Sequence, residues 1–254
     1  WSSDVCSSDL VGHLFYFQVD NPLVHIADPV FIGRHLLAGS QATSKVIFRR
    51  DAAEKLGVFA RSRGRCAIVE YSDLPQAMGM AKAADGSLVY GAGNPAIHLF
   101  SVPFLARAAA GDSLMPYHAA IKKVPFWTEE TGLVNPTTEN AVKFEKFMFD
   151  VLPHAEPWLL VATPRDDEFA PLKNAEGADS PAEVRSAQSR LAARWLARAG
   201  VPVPADEHGN PPAPIEISPL AALEPADLDP DRLRGNDWSK PVFIGPEGKW
   251  KESP

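Results

Sequence analysis

Cysteine is nearly missing from this chain: of 254 residues, only Cys6 and Cys66 are cysteine. Two residues so far apart make neither a disulfide framework nor a zinc-type spacing, and the expectation is a cytoplasmic protein. Long apolar runs are missing too. None reaches the roughly 18 residues that cross a bilayer, and no basic segment followed by an apolar one marks a secretory signal. A membrane partner is therefore not expected. Positive charge is in short supply, with 25 Lys and Arg against 32 Asp and Glu and a net charge of -7. That balance argues against nucleic acid as a partner, although it leaves room for a local site for a small phosphate. No segment repeats. What the chain has is apolar content, 45% of residues, which is ample for one large domain with or without a smaller one.

The first ten residues, WSSDVCSSDL, show neither helical nor strand periodicity. They match the translation of a short-read sequencing adapter in one frame. The expectation is that residues 1–10 are not native and that the natural protein has been cut at Val11. Cys66 is then its only natural cysteine.

From Val11 onward, strand and helix patterns mix. Residues 13–19 (HLFYFQV) read as a buried strand ending at Asp20-Asn21-Pro22. Residues 29–38 read as a helix capped by Asp28, with Pro29 in its first position. Short strands are expected at 45–49, 58–61, 66–71, 88–91, 117–122 and 158–162. Helices are expected at 97–110, where Pro103 kinks or restarts the run, and at 142–152. Ser180-Pro181-Ala182-Glu183 is a capping box. It opens a helix with Val184, Gln188, Leu191 and Trp195 on one stripe. Residues 203–214 are proline-rich and read as a linker before two small strands, 215–217 and 241–244. The expected domains are residues 11–202 and a small piece, 203–254. Several consecutive strands in the middle indicate an α/β fold with a mixed sheet, not a strictly alternating one.

Five stretches carry candidate chemistry. In FQVDNP (17–22) an acid and an amide follow a strand end, the place where open α/β sheets bind ligands. Asp20 there suits a hard cation between phosphates, and Asp-Asn-Pro is equally good turn chemistry. In VEYSDLP (69–75), Glu70 and Tyr71 suit sugar hydroxyls, or simply solvate a strand end. In YGAGNPAIHLF (90–100), Gly91 and Gly93 allow close backbone approach. Asn94 either caps a helix or meets a ligand amide, and His98 reads as a core histidine. In KFEKFMFD (143–150), Phe144, Phe147, Met148 and Val151 form one helical stripe. Phe147 and Phe149 cannot share a face of an ideal helix. In TPRDDEFAPLKNA (163–175) a charged loop follows a strand. Its Lys173, between Leu172 and Asn174, reads as turned inward and able to neutralise a transferring phosphoryl group.

The order of these segments resembles the eukaryotic-type UDP-N-acetylglucosamine pyrophosphorylases, within the wider UDP-sugar pyrophosphorylase family. The series is VDNP, VEYSDL, GNPAIHLFSVPFL, AAIKKVPF, VKFEKFMFD, RDDEFAPLKNA and IEISPL, and it runs from about Phe15 to about Ile244. The resemblance implies a Rossmann-like, GT-A-like nucleotidyltransferase domain, N-terminally truncated here, with a small C-terminal β-rich piece. It implies UTP plus N-acetylglucosamine 1-phosphate giving UDP-N-acetylglucosamine and pyrophosphate, with Mg²⁺ as cofactor. In that family pattern Asp20 holds Mg²⁺. Asn21, Glu70, Tyr71, Gly93 and Asn94 bind the sugar nucleotide, Phe147 and Phe149 shape the N-acetyl pocket, and Lys173 is catalytic through phosphate. Three departures touch the sugar side: Pro95 replaces a β-branched residue, Ile97-His98 an Asn-His pair, and Asn140-Ala141 an Asn-Gly. The family's glycine-rich, arginine-bearing loop does not precede Asp20, so the 254-residue chain is expected to be inactive alone. The alternatives are another sugar 1-phosphate, such as glucose 1-phosphate, and a non-catalytic sugar-nucleotide-binding remnant.

Overall fold

The structure is a computed structural model and describes residues 11–62, 64–110 and 114–246. The opening decapeptide and its Cys6 lie outside the described residues. The chain divides into two compact units. One holds the described residues up to Tyr16 together with Ala27–Ala162. The other holds Phe17–Ile26 and the residues from Thr163 onward.

In the first unit, β1 (His13–Tyr16) precedes α1 (Pro29–Leu37), β2 (Ala42–Phe48), β3 (Val58–Ser62) and β4 (Arg65–Val69). A helical turn, α2 (Gln76–Gly79), leads to β5 (Ala92–Gly93), β6 (His98–Ser101) and α3 (Val102–Ala110). Then come β7 (His118–Lys122), β8 (Phe126–Thr128), β9 (Gly132–Val134), β10 (Ala141–Glu145), a 3-10 helix at Met148–His154 and β11 (Trp158–Ala162). Seven of these strands make a mixed sheet in the order β1-β6-β2-β5-β3-β4, with β11 on the other side of β2. The β11–β2 pairing is parallel, Trp158 facing Ala42 and Ala162 facing Val46. The remaining pairs of this sheet are antiparallel. Two antiparallel ribbons, β7–β10 and β8–β9, stand apart from it.

β2 is central, and the first six of its seven residues are buried. Its polar side chains therefore need partners. Thr43 Oγ1 meets His35 Nδ1 at 2.8 Å, and Lys45 Nζ pairs with Asp28 at 2.8 Å. Thr43 and Lys45 are two residues apart, hence on one face, and both reach α1 or its cap. On α1, Asp28 also caps the first turn, accepting from Val30 and Phe31 backbone N–H groups behind Pro29. Ala42 and Val46 join Phe100, Phe104, Val151 and Leu152 in a second cluster of buried residues.

Three sequence expectations change in this unit. Residues 97–110 are not one helix: β6 runs to Ser101, and α3 starts at Val102 with Pro103 in its first turn, where the missing N–H costs nothing. A short apolar run reads alike for strand and helix, and the proline marks the boundary. Residues 88–91 are no strand. Leu88 makes an isolated bridge with Lys82, and β5 joins the sheet instead. Residues 142–152 are no helix either. β10 pairs with β7 in register, Glu145 facing His118, before the chain tightens into the 3-10 helix containing Pro153. The helical stripe was a coincidence of spacing: Phe144 is exposed on the ribbon while Val151 is core.

The second unit contains α4 (Arg165–Glu168), α5 (Pro181–Arg198), β12 (Ile215–Ile217), a 3-10 turn at Pro225–Asp227, α6 (Pro230–Leu233) and β13 (Val242–Ile244). Ser180 caps α5, accepting from Glu183 N. The buried face of α5 is Val184, Ala187, Ala192, Ala193 and Leu196, and Gln188 is exposed. Leu196 packs with Val201, Ile215, Val242 and Ile244 around the parallel β12–β13 pair. This packing is why the compact units divide at 162/163 rather than at the expected 202/203. The helix shares its core with the strands that follow it. The proline-rich stretch is a fixed loop, with Asn210 held by Asp206 and by Arg190.

Candidate functional site

The candidate residues fall into two groups, one in each unit. In the second unit β1 has already ended at Tyr16, and residues 18–24 form turns, with Asn21 N donating to Gln18 O and Val24 N to Asn21 O. Asn21 is 3% exposed. Its carboxamide works at both ends: Nδ2 donates to Glu168 O at 2.8 Å and Oδ1 accepts from Ala170 N at 3.0 Å. Glu168 is also buried, and its Oε2 accepts from His25 N at 3.2 Å. Leu172 N donates to Asp20 O at 2.7 Å. One residue further, the Lys173 ammonium pairs with the Asp20 carboxylate.

Asp20 and Lys173 are thus neighbours, set by two backbone segments stitched together through Asn21 and Glu168. Lys173 is not turned inward. Half its side chain is exposed, since its four-carbon stem carries the ammonium to water. The charged loop is anchored from the other side. Arg194 of α5 donates through Nε and Nη2 to Asp167 Oδ1, and through Nη2 to Asp166 O at 2.6 Å. Asn21 is occupied with backbone groups of its own chain.

In the first unit Glu70 follows β4 and is half-buried, while Tyr71 beside it is exposed. Burial raises the Glu70 carboxyl above its ordinary pKa, and the negative charges of Asp73 and Asp150 add to this while His118 opposes it. Asn94 is buried. Its Oδ1 accepts from Ala96 N at 3.0 Å and its own N donates to Gly57 O at 2.8 Å, so it shapes a turn ahead of β6 and caps no helix. Gly93 faces its own chain: a Cβ there would lie 2.3 Å from Leu56 Cδ2. The close approach its missing side chain permits is that of Leu56.

The structure brings Phe147 and Phe149 together. Their rings stack at 4.8 Å with planes 16° apart. No helix face has to hold both, because Phe147 is the extended residue before the 3-10 turn. Sequence reasoning missed two neighbours. His118 packs its ring on Phe147 at 4.6 Å, and its Nε2 meets Asp150 Oδ2 at 2.7 Å. The pair spans 32 positions, and the register of the β7–β10 ribbon that joins them is invisible while residues 142–152 read as a helix. Together the first unit offers a carboxyl, a phenol, a carboxamide and two stacked aromatic faces, the equipment for a sugar. The second offers an ammonium and a carboxylate, the equipment for phosphate and a cation. Among the described residues no three His, Cys, Asp or Glu cluster as a metal cage.

No protein-family model matches the chain. Its fold is the α/β nucleotidyltransferase fold of the UDP-sugar pyrophosphorylases. A crystal structure of the UDP-N-acetylglucosamine pyrophosphorylase of Trypanosoma brucei, in complex with an inhibitor, superposes with a TM-score of 0.73 at 26% identity. It covers 92% of this chain and 49% of that one. Within that class the chain is a homologue of the UDP-N-acetylglucosamine pyrophosphorylases. It is 37% identical over 196 residues to the Saccharomyces cerevisiae enzyme, 75% of this chain and 41% of that protein. It is 39% identical over 250 residues to the human UDP-N-acetylhexosamine pyrophosphorylase-like protein 1, 92% of this chain and 49% of that protein. The chain spans about half the length of the curated relatives it matches.

Proposed function

We propose that this chain works as the sugar- and phosphate-holding part of a uridylyltransferase. The reaction would join UTP and N-acetylglucosamine 1-phosphate into UDP-N-acetylglucosamine, releasing pyrophosphate. The observation that carries the reading is the stacked Phe147–Phe149 pair in one unit with the strand-end Glu70 and Tyr71, in a homologue of enzymes named for that sugar nucleotide. In such a transfer the sugar phosphate oxygen bonds to the α-phosphorus while the bond to the pyrophosphate oxygen breaks. Positioning and charge neutralisation suffice, without a covalent enzyme intermediate.

Each group has a role on this reading. The aromatic pair gives the N-acetyl group apolar faces, and Glu70 and Tyr71 take sugar hydroxyls. Lys173 donates to phosphate. Mg²⁺ fits the donor set, since it keeps most of its waters and takes one or two carboxylates beside substrate phosphates. Asp20 is such a carboxylate, already facing a cation in Lys173. When bound, the ion would supply neutralisation of phosphate charge. A cytoplasmic site of action is part of the proposal. Among the described residues no helix is long and apolar enough to cross a membrane.

Binding to the 254-residue chain tests the proposal. Saturation-transfer NMR and calorimetry with N-acetylglucosamine 1-phosphate, glucose 1-phosphate and UDP-N-acetylglucosamine should show the N-acetyl methyl protons in closest contact. The acetylated sugar phosphate should bind the tighter of the two. Lys173→Ala should weaken both phosphates about tenfold, the scale of one hydrogen bond to a charged group. Equal affinity for the two sugar phosphates would move the assignment to glucose 1-phosphate, and no binding of any of the three would sink it.

A further inference from the structure

His118 touches the 147–150 segment at both of its ends. Its ring lies 4.6 Å from that of Phe147, tilted by 43°, while its Nε2 meets Asp150 Oδ2 at 2.7 Å. Phe149, between those two anchors, stacks on Phe147. The segment itself is poorly held by local structure. Phe147 is extended, the 3-10 helix starts after it without a side-chain cap, and Asp150 N donates back to Phe147 O at 3.1 Å. A 3-10 turn has poorer hydrogen-bond geometry than an α-helix and does not fix side chains well alone. His118 comes from the other strand of the ribbon, at the end of the β7–β10 ladder opposite Glu145. Asp150 is the less exposed partner, 18% against 37%, and a half-buried pair of this kind is less screened than a surface one.

We infer that His118 and Asp150 are positioning residues that clamp Phe147 and Phe149 into one stacked wall, and so set the preference for an N-acetylated over an unmodified sugar phosphate. The inference rests on the proposed function, in which those rings face the N-acetyl group. The clamp acts through the rings. Asp150 fixes which way the imidazole points, the imidazole fixes Phe147, and Phe147 fixes the plane against which Phe149 lies. Loss of either member would leave the Phe147 ring free to turn away from Phe149, which packs against the buried core. An unmodified sugar has no acetyl methyl to miss the wall, so its affinity should hardly change.

The test uses the whole chain in four forms: unsubstituted, Asp150→Ala, Asp150→Asn and His118→Leu. Two quantities are read. One is the ratio of calorimetric affinities for N-acetylglucosamine 1-phosphate and glucose 1-phosphate. The other is the set of aromatic proton shifts of Phe147 and Phe149, assigned without ligand. Asp150→Ala and His118→Leu should each cut the affinity ratio about tenfold, ~1.4 kcal/mol, leave glucose 1-phosphate within about twofold, and move both sets of ring shifts. Asp150→Asn still accepts from Nε2–H and should keep most of the preference. Equal weakening of both sugars would mark a merely structural pair and overturn the inference. So would a preference that survives in both Asp150→Ala and His118→Leu, which leaves the functional reading standing. If the unsubstituted chain itself shows no preference, that reading falls and the inference falls with it. Should Asp150→Ala fail to fold, His118→Leu and Asp150→Asn decide.

Discussion

Ser44 Oγ accepts the indole N–H of Trp158 at 2.9 Å and lies 2.7 Å from His98 Nδ1. Indole only donates, and the Ser44 hydroxyl, with two acceptor lone pairs and one proton, serves it and still bonds His98 in either tautomer of the neutral ring. Burial keeps that ring neutral, pushing the pKa of His98 down to about 3. His35 is lowered as well, by burial first and by His13 second. Groups depressed below their unfolded value of about 6.5 bind fewer protons folded than unfolded. The contribution of His98 is full above pH 6.5 and is lost as the pH falls toward 3, and that of His35 is lost in the same direction. Urea unfolding should therefore show stability declining from pH 7 to pH 4, with His98 contributing on the order of 4 kcal/mol across its window. A flat profile over that range would contradict the neutral, buried assignment. Gly93 makes a second residue-scale case. Gly93→Ala puts a methyl against Leu56 and should cost about 1–3 kcal/mol by overpacking. A double substitution with Leu56→Ala should recover part of the loss, as a shift in thermal midpoint.

Among the elements, the two segments stitched by Asn21 and Glu168 deserve the sharpest test. Glu168→Ala removes the acceptor of His25 N and should cost about 1–3 kcal/mol. It should also loosen the Asp20–Lys173 pair, so phosphate affinity falls although residue 168 touches no ligand. Glu168→Gln keeps a carbonyl acceptor and should behave almost as the unsubstituted chain. Sequence reading reached the parts of this fold whose signals are local. The Asp28 and Ser180 caps, the boundaries of β11 and β12, and the turn at Asp20-Asn21-Pro22 all announce themselves within four residues. It failed where a distant partner decides. Residues 142–145 read as the start of a helix but are strand because β7 lies beside them. Nothing near Asn21 in sequence shows that Glu168 O and Ala170 N, far along the chain, hold its carboxamide. Lys173 was misjudged in burial, its side chain being half exposed.

For the molecule as a whole, the C-terminal residues are structural partners of α5 rather than an appendage. Ending the chain after Gly200 would strip Leu196 and Ala192 of Ile215, Val242 and Ile244. Such a truncated chain should bind a dye such as anilinonaphthalene sulfonate and lose cooperative unfolding of the second unit. An intact sharp transition would show the strands to be dispensable. The same unit is discontinuous along the chain, and this shapes its birth on the ribosome. Asn21 meets its partners only 147 and 149 residues later. At ordinary rates of translation that is a wait on the order of ten seconds. Throughout it, the 17–26 segment hangs as an unmatched edge of the nascent polypeptide while the sheet beside it in sequence assembles. Leu23, 5% exposed once folded, stays wet for that interval. A holdase that captures short apolar stretches would find a foothold there.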